Sequence, residues 1–301
     1  MKEKKNRHSK RHSSRNRNKK KKTPIIIASA VILLMLLVPG FFLNGLSIVS
    51  YTVRGTGVSQ PVRIALVTDL HSCSYGEGQK QLLDAIDGQN PDLVLLGGDI
   101  FDANLPDDNA AVFLRGIAGR YPCYYVTGNH EYMCEEDVFA SRMAILEECG
   151  IIRLSGEAAE IELGGTQIDI CGVDDPRAWL NEEDPEESEA CFRKQLENLA
   201  SENGNNSYTI LLSHRPEQIG LYSLYGFDLV LSGHAHGGQW RIPRLVNGLY
   251  APDQGLFPDY AGGQYKEEGT TMIVSRGLAK ESTRIPRLYN PLELVIVELK
   301  P

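Results

Sequence analysis

Leu231-Ser-Gly-His-Ala-His-Gly-Gly-Gln239 closes the apolar run Leu229 to Leu231 with a glycine-flanked pair of histidines, His234 and His236. Alternate residues of an extended loop can aim imidazoles at two neighbouring points, and glycines let the backbone approach closely. That suits two metal ions better than one. Taken alone, the pair is explained as well by a surface turn with incidental histidines, so the rest of the chain has to decide.

Four other apolar runs end the same way. Val62 to Thr68 leads into Asp69-Leu-His71, and Asp92 to Leu96 into Gly97-Gly-Asp99. Cys123 to Val126 leads into Gly128-Asn-His-Glu131, and Tyr208 to Leu212 into Ser213-His214. Short β-branched runs with little polar interruption are expected for strands covered on both faces. In α/β sheets ligands collect at the C-terminal ends of such strands, so distant groups can converge on one site. Segments of helical character lie between them: Gln79 to Gln89, Asp107 to Ala118, Glu135 to Cys149 and Glu186 to Asn203. The alternation predicts an α/β fold. Glu160 to Cys171, Thr271 to Ser275 and Leu292 to Leu299 are strand-like and predict a second, more antiparallel sheet packed on the first.

Histidine placement is the strongest count. Of seven histidines, His8 and His12 lie in a basic tail; His71, His130, His214, His234 and His236 all follow these runs. None is left for ordinary surface or core duty.

Asp69-x-His71, Gly98-Asp99, Gly128-Asn-His-Glu131, His214 and Gly233-His-x-His236, in that order, resemble the full motif series of the calcineurin-like metallophosphoesterase superfamily. The resemblance covers residues 61–301. The Ser213-His-Arg-Pro216 and Ser275-Arg-Gly277 contexts are similar to a membrane-associated bacterial phosphodiesterase branch. The resemblance implies a four-layer α-β-β-α sandwich holding two divalent metal ions. Asp69, His71 and His236 would bind one, Asn129, His214 and His234 the other, and Asp99 would bridge them. Neutral imidazoles with carboxylates suit Mn, Fe or Zn. A water activated between two such ions would attack phosphorus in line with the departing oxygen. His130 is the expected acid for the leaving group, with Glu131 orienting its ring through a hydrogen bond. Asp102 is expected either to support the metal loop or to be a helix-capping or solvent-facing carboxylate. Arg215 and Arg276 are expected to contact substrate phosphate or to pair with an acid. Cys73 is expected to be a buried thiol rather than a ligand, and the six cysteines show no metal or redox spacing.

The chain start is of another kind. Residues 1–22 carry 12 Lys or Arg and one acid, leaving 19 basic and 38 acidic residues, a net −19, in the remainder. Residues 24–43 hold no charge and as a helix would span about 30 Å, a bilayer core. Residues 1–23 are therefore expected as a cytoplasmic tail, 24–43 as a single transmembrane anchor, 44–60 as a linker and 61–301 as an extracytoplasmic catalytic domain. The rival, a cleaved signal peptide, lacks a small-x-small site past the apolar run. A basic arm can bind nucleic acid, but the acidic body argues against a polyanionic partner. The function expected is hydrolysis of a phosphodiester or pyrophosphate bond, the tether favouring a lipid-linked substrate. A phosphomonoesterase and a non-catalytic tethered module on the same fold are the alternatives.

Overall fold

A computed structural model of the chain describes residues 38, 45–180, 185–202, 207–242, 244–280 and 285–301. Strands and helices are numbered along the chain. The first sheet runs, in spatial order, β1 (Leu46–Arg54), β14 (Leu292–Lys300), β2 (Val62–Val67), β3 (Leu93–Gly97), β4 (Cys123–Val126) and β5 (Ile152–Arg153). The second runs β12 (Gly263–Glu267), β13 (Thr270–Val274), β9 (Leu229–Ser232), β8 (Tyr208–Leu212), β7 (Thr166–Gly172) and β6 (Glu157–Leu163). A two-stranded ribbon, β10 (Tyr250–Ala251) with β11 (Gly255–Leu256), stands apart.

Strand alternation builds the layers. Side chains of a strand point to opposite faces in turn. Ile64 and Leu66 of β2 therefore join Leu93, Leu95, Ile210, Leu212, Leu229 and Leu231 between the two sheets. Ala65 and Val67 face outward onto α1 (Lys80–Asp87), α2 (Asp108–Ile117) and α3 (Glu136–Glu148), through Leu82, Ile86, Phe113 and Leu146. On the far side, Leu211 and Val230 pack against α4 (Pro185–Glu202) and α5 (Ile219–Tyr222), through Phe192, Leu196 and Tyr222. Burying each such aliphatic side chain stabilises the fold by about 1.5–3 kcal/mol.

The expected helices and buried strands form close to their sequence bounds. Two expectations change. First, strands change sheets: β8 and β9 belong to the second sheet, parallel to β7 and β13, so that sheet is mixed, and Leu292 to Leu299, expected there, is β14 of the first sheet, antiparallel to β2. The site is consequently assembled from the edges of both sheets. Second, the expected linker 44–60 contains β1, a nine-residue edge strand parallel to β14 in register Leu46↔Leu292 to Arg54↔Lys300. From Val49 on, the more buried Val49, Tyr51 and Val53 alternate with exposed Ser50, Thr52 and Arg54, which suits an edge strand with one side toward water. The expected tail 1–23 and anchor 24–43 lie outside the described residues, save Val38. Among the described residues no helix is long and apolar enough to cross a membrane.

Candidate metal centre

The C-terminal ends of β2, β3, β4, β8 and β9 meet at one edge, and backbone bonds fasten them. Asp69 N donates to Gly98 O (3.0 Å), His71 N to Asp99 O (2.9 Å), and Gly233 N to His214 O (3.3 Å). The turns are tight. Asp69, His71, Asp99, His234 and His236 all have φ between 47° and 67°, the left-handed region that costs a side-chain-bearing residue energy. Glycines leave the room: a Cβ on Gly128 would lie 2.3 Å from Asp99 Oδ1, and one on Gly233 2.5 Å from Asp69 Oδ2.

Each aspartate spends one oxygen on the scaffold. Asp69 Oδ1 accepts from His234 N (2.9 Å), and Asp99 Oδ1 from His130 N (2.8 Å). The second oxygen of Asp99 faces the histidines, whereas Asp69 turns the same Oδ1 toward them. Asp99 Oδ2 lies 3.2 Å from His214 Nε2 and 3.4 Å from His71 Nε2, between the two halves of the site. Asp69 Oδ1 is 3.8 Å from His236 Nε2 and 4.0 Å from His214 Nε2. Two buried clusters result, Asp69–His71–His236 and Asp99–His214–His234, each with ligand atoms close enough to hold an ion.

The imidazoles are oriented from behind. His214 Nδ1 donates to Gly97 O (2.9 Å), His71 Nδ1 to Asp102 Oδ2 (2.8 Å), and His234 Nε2 to Asp253 Oδ2 (2.7 Å). Fixing the outer nitrogen fixes the tautomer and turns the other lone pair inward, the usual arrangement of metal-binding histidine. Arg215 Nη1 also approaches His234 Nε2, at 3.0 Å, but both groups donate to the shared Asp253 carboxylate, the stronger acceptor. With those tautomers, the lone pairs of His234 Nδ1 and His214 Nε2 face each other at 3.2 Å. Such a contact is repulsive unless a cation lies against both.

Unpartnered atoms give the same reading. Asp69 Oδ2, His71 Nε2, Asn129 Oδ1 and His236 Nδ1 are buried without a hydrogen-bond partner, a costly state for oxygen and nitrogen ligands without an ion. Burial pushes His236 down to about 3, which keeps its ring neutral. Burial alone would raise Asp99, but its interactions with His214, His71 and His130 outweigh it and hold the carboxyl well below its ordinary range. All seven expected ligands therefore lie at this edge, and their chemistry fits a pair of divalent cations.

His130 sits at the rim, its side chain 24% exposed, with its ring centroid 4.3 Å from that of His71. Its Nδ1 lies 3.2 Å from Asp102 Oδ2 and 3.3 Å from Ala103 N. One nitrogen cannot donate and accept at once, and the carboxylate decides that Nδ1 carries the hydrogen. Asp102, not Glu131, therefore orients His130. Glu131 is fully buried and accepts from Gly128 N (2.7 Å), Asp99 N (2.9 Å) and Phe101 N (3.1 Å), stitching two metal loops together. Asp102 supports the loop and is neither a helix cap nor solvent-facing: it is buried, and its Oδ1 accepts from Asn104 N (2.8 Å) and Leu105 N (3.0 Å).

The two doubtful arginines pair with acids: Arg215 with Asp175 and Asp253, Arg276 with Glu293. Cys73 is buried, and its Sγ accepts from Lys280 N at 3.3 Å. Three acids escaped the sequence reading. Asp253 backs His234 from the ribbon turn. Asp175 holds Arg215. Asp174 at the end of β7 accepts from Thr127 Oγ1 (3.1 Å), Tyr132 OH (3.0 Å) and Arg153 Nη2 (2.8 Å), tying one sheet's metal loop to the other sheet. No motif spacing announces them; only the adjacency Asp174-Asp175 after a strand was visible.

A family model described as calcineurin-like phosphoesterase matches residues 62–238, which contain every expected ligand. An uncharacterized metallophosphoesterase of Aquifex aeolicus is 31% identical over 265 residues, 85% of this chain and 92% of its own length. One from Helicobacter pylori strain J99 is 30% identical over 250 residues, 81% of this chain and 61% of its own. Phosphodiesterase YaeI of Escherichia coli is 30% identical over 198 residues, 64% of this chain and 66% of its own. The chain spans about three fifths of the length of the Helicobacter and Campylobacter relatives it matches. With this ordered ligand series between two sheets, the chain belongs to the calcineurin-like phosphoesterase family.

Proposed function

We propose that the protein is a membrane-anchored phosphoesterase with a dinuclear metal centre that hydrolyses a phosphodiester or pyrophosphate bond outside the cytoplasm. The observation that carries this reading is the position of Asp99 between two groups: one leaves Asp69 Oδ2 and His71 Nε2 without hydrogen-bond partners, and the other sets His214 Nε2 and His234 Nδ1 face to face. Asp69, His71 and His236 would hold one cation; Asn129, His214 and His234 the other, with Asp99 common to both. Bound there, divalent cations polarise phosphate oxygens and make water nucleophilic at neutral pH. His130, its Nδ1 tied to Asp102, offers Nε2 to the departing oxygen. Burial would lower its pKa, but the Asp102 hydrogen bond and the Asp99 charge outweigh it and raise it, so the ring keeps a proton to give.

The Escherichia coli relative, a phosphodiesterase, supports the diester reading over the monoester one. Residues 24–43 support the anchor through their unbroken apolar character, and the basic flank supports an outward-facing body. A net −19 on the body disfavours nucleic acid and favours a small or lipid-linked phosphate. The test is turnover of bis-p-nitrophenyl phosphate against p-nitrophenyl phosphate by the full chain in detergent, with Mn, Zn or Mg supplied. Faster diester turnover is expected. Monoester preference would make it a phosphomonoesterase, and no turnover with any metal a non-catalytic module.

A further inference from the structure

Beside the metal centre the chain makes an excursion, residues 239–257, that carries an unusual outer surface. Trp240, Ile242, Leu245, Tyr250, Leu256 and Phe257 are all exposed, Leu245 by 82% and Leu256 by 68%. Contiguous exposed apolar surface of this kind marks an interaction site more often than an accident. It is not a loose loop. Gly238 packs so closely on Gly248 that a Cβ would come within 2.3 Å of the Gly248 Cα. Leu249 N donates to Gly238 O (2.9 Å), Phe257 N to Leu249 O (2.8 Å), and Tyr250 stands across the ribbon from Leu256. Trp240 Nε1 donates to Pro286 O (3.0 Å). The patch is thus clamped to the turn that bears His236, and Asp253 in its midst grips His234.

Its charge differs from the body's. Residues 239–257 carry Arg241 and Arg244 against one acid, Asp253, which is itself paired with Arg215 and His234, on a body of net −19. Apolar and aromatic side chains interspersed with arginine suit the headgroup region of an anionic bilayer.

Where the chain enters the fold fixes the direction. Leu46 pairs with Leu292, and β14 runs antiparallel to β2 with Val295 opposite Leu66. Continued three residues, that register sets Leu292 level with Asp69. Leu46 therefore starts at the metal-bearing edge, two strand spacings or about 10 Å to the side. Only Asn44 and Gly45 separate it from the apolar stretch that ends at Leu43, a reach of about 10 Å.

We propose that the rim formed by Trp240, Leu245, Leu256 and Phe257 docks on the lipid bilayer, so that the metal centre opens toward the membrane surface and takes its phosphate ester from lipid headgroups. This rests on the anchored reading above, because the short connection brings that edge to the bilayer.

The chain has two tryptophans, and Trp179 → Phe leaves Trp240 as the reporter. The full-length variant is reconstituted in phosphatidylglycerol/phosphatidylethanolamine vesicles with brominated acyl chains. Trp240 emission is expected to be largely quenched, and Leu245→Glu, Leu256→Glu and Phe257→Glu combined in that background to restore it. Trp179 is only partly buried, so Trp179→Tyr serves should the Phe variant misfold. Carbonate extraction of the same vesicles reports the anchor separately. Protein that resists extraction yet keeps full Trp240 emission overturns rim docking and leaves the anchor standing. Quenching in protein that is extracted supports the rim and removes the anchor. Unquenched emission with cross-linking between copies through Phe257→Cys would assign the rim to a second copy of the chain and overturn the proposal.

Discussion

Asp102 serves two histidines, and their fates on mutation should differ. His71 faces Asp99 and belongs to one of the two buried clusters, whereas His130 lies outside both, at the partly exposed rim. His130→Ala is therefore expected to leave bound metal unchanged by elemental analysis and to lower kcat by about 10² to 10⁴. Metal lost along with activity would make His130 a ligand instead. Asp253→Ala should do the reverse, weakening metal affinity by about 10- to 100-fold in calorimetric titration, since it removes the acceptor that sets the His234 tautomer. The gathering of these side chains at one edge was legible because all five histidines of the body follow four of the five apolar runs and the fifth run ends in Asp99. Asp253 was not, because it stands in an exposed turn and acquires its partner only when the ribbon folds back over Gly238. Glu131 misled for a related reason. Adjacency to His130 suggested a bond between them, but a 3-10 turn sends neighbouring side chains apart, and the Glu131 carboxylate turns inward to backbone amides.

At the scale of elements, the strands buried on both faces could be found from composition, whereas β1 could not. Its nine residues mix Ser, Thr and Tyr with Ile and Val, and its partner β14 lies at the other end of the chain. Parallel pairing over that separation leaves no local trace. Nor does the polar clamp at the end of β7. Burial would raise the Asp174 carboxyl, but the Arg153 charge and hydrogen bonds from Arg153, Ser155 and Gln195 outweigh it and hold its pKa below the ordinary value. Asp174→Asn is expected to lower unfolding free energy by about 2 kcal/mol near neutral pH, read by urea denaturation. Because the folded pKa is the depressed one, that contribution is present above the unfolded value of about 4 and lost as pH falls through the folded value. The gap between wild type and variant should therefore close on acidification. A gap independent of pH would mean that Asp174 contributes packing, not charge.

Across the whole molecule, two mixed sheets share one apolar layer and present the strand ends that carry the candidate ligands at a common edge. β2, β3 and β4 bring Asp69, His71, Asp99 and Asn129; β8 and β9 bring His214, His234 and His236. The sequence reading placed all five strands in one sheet, because strand character does not reveal which sheet a strand joins. Convergence survives that correction since both sheets end at the same level. The central claim is that this edge holds a pair of cations sharing Asp99. The most direct measurement is electron paramagnetic resonance of the full chain loaded with Mn(II), alongside metal stoichiometry. Two ions per chain with a spin-coupled spectrum, the coupling lost in Asp99→Ala, is the result predicted. One ion per chain, or two that give only uncoupled signals, would contradict it.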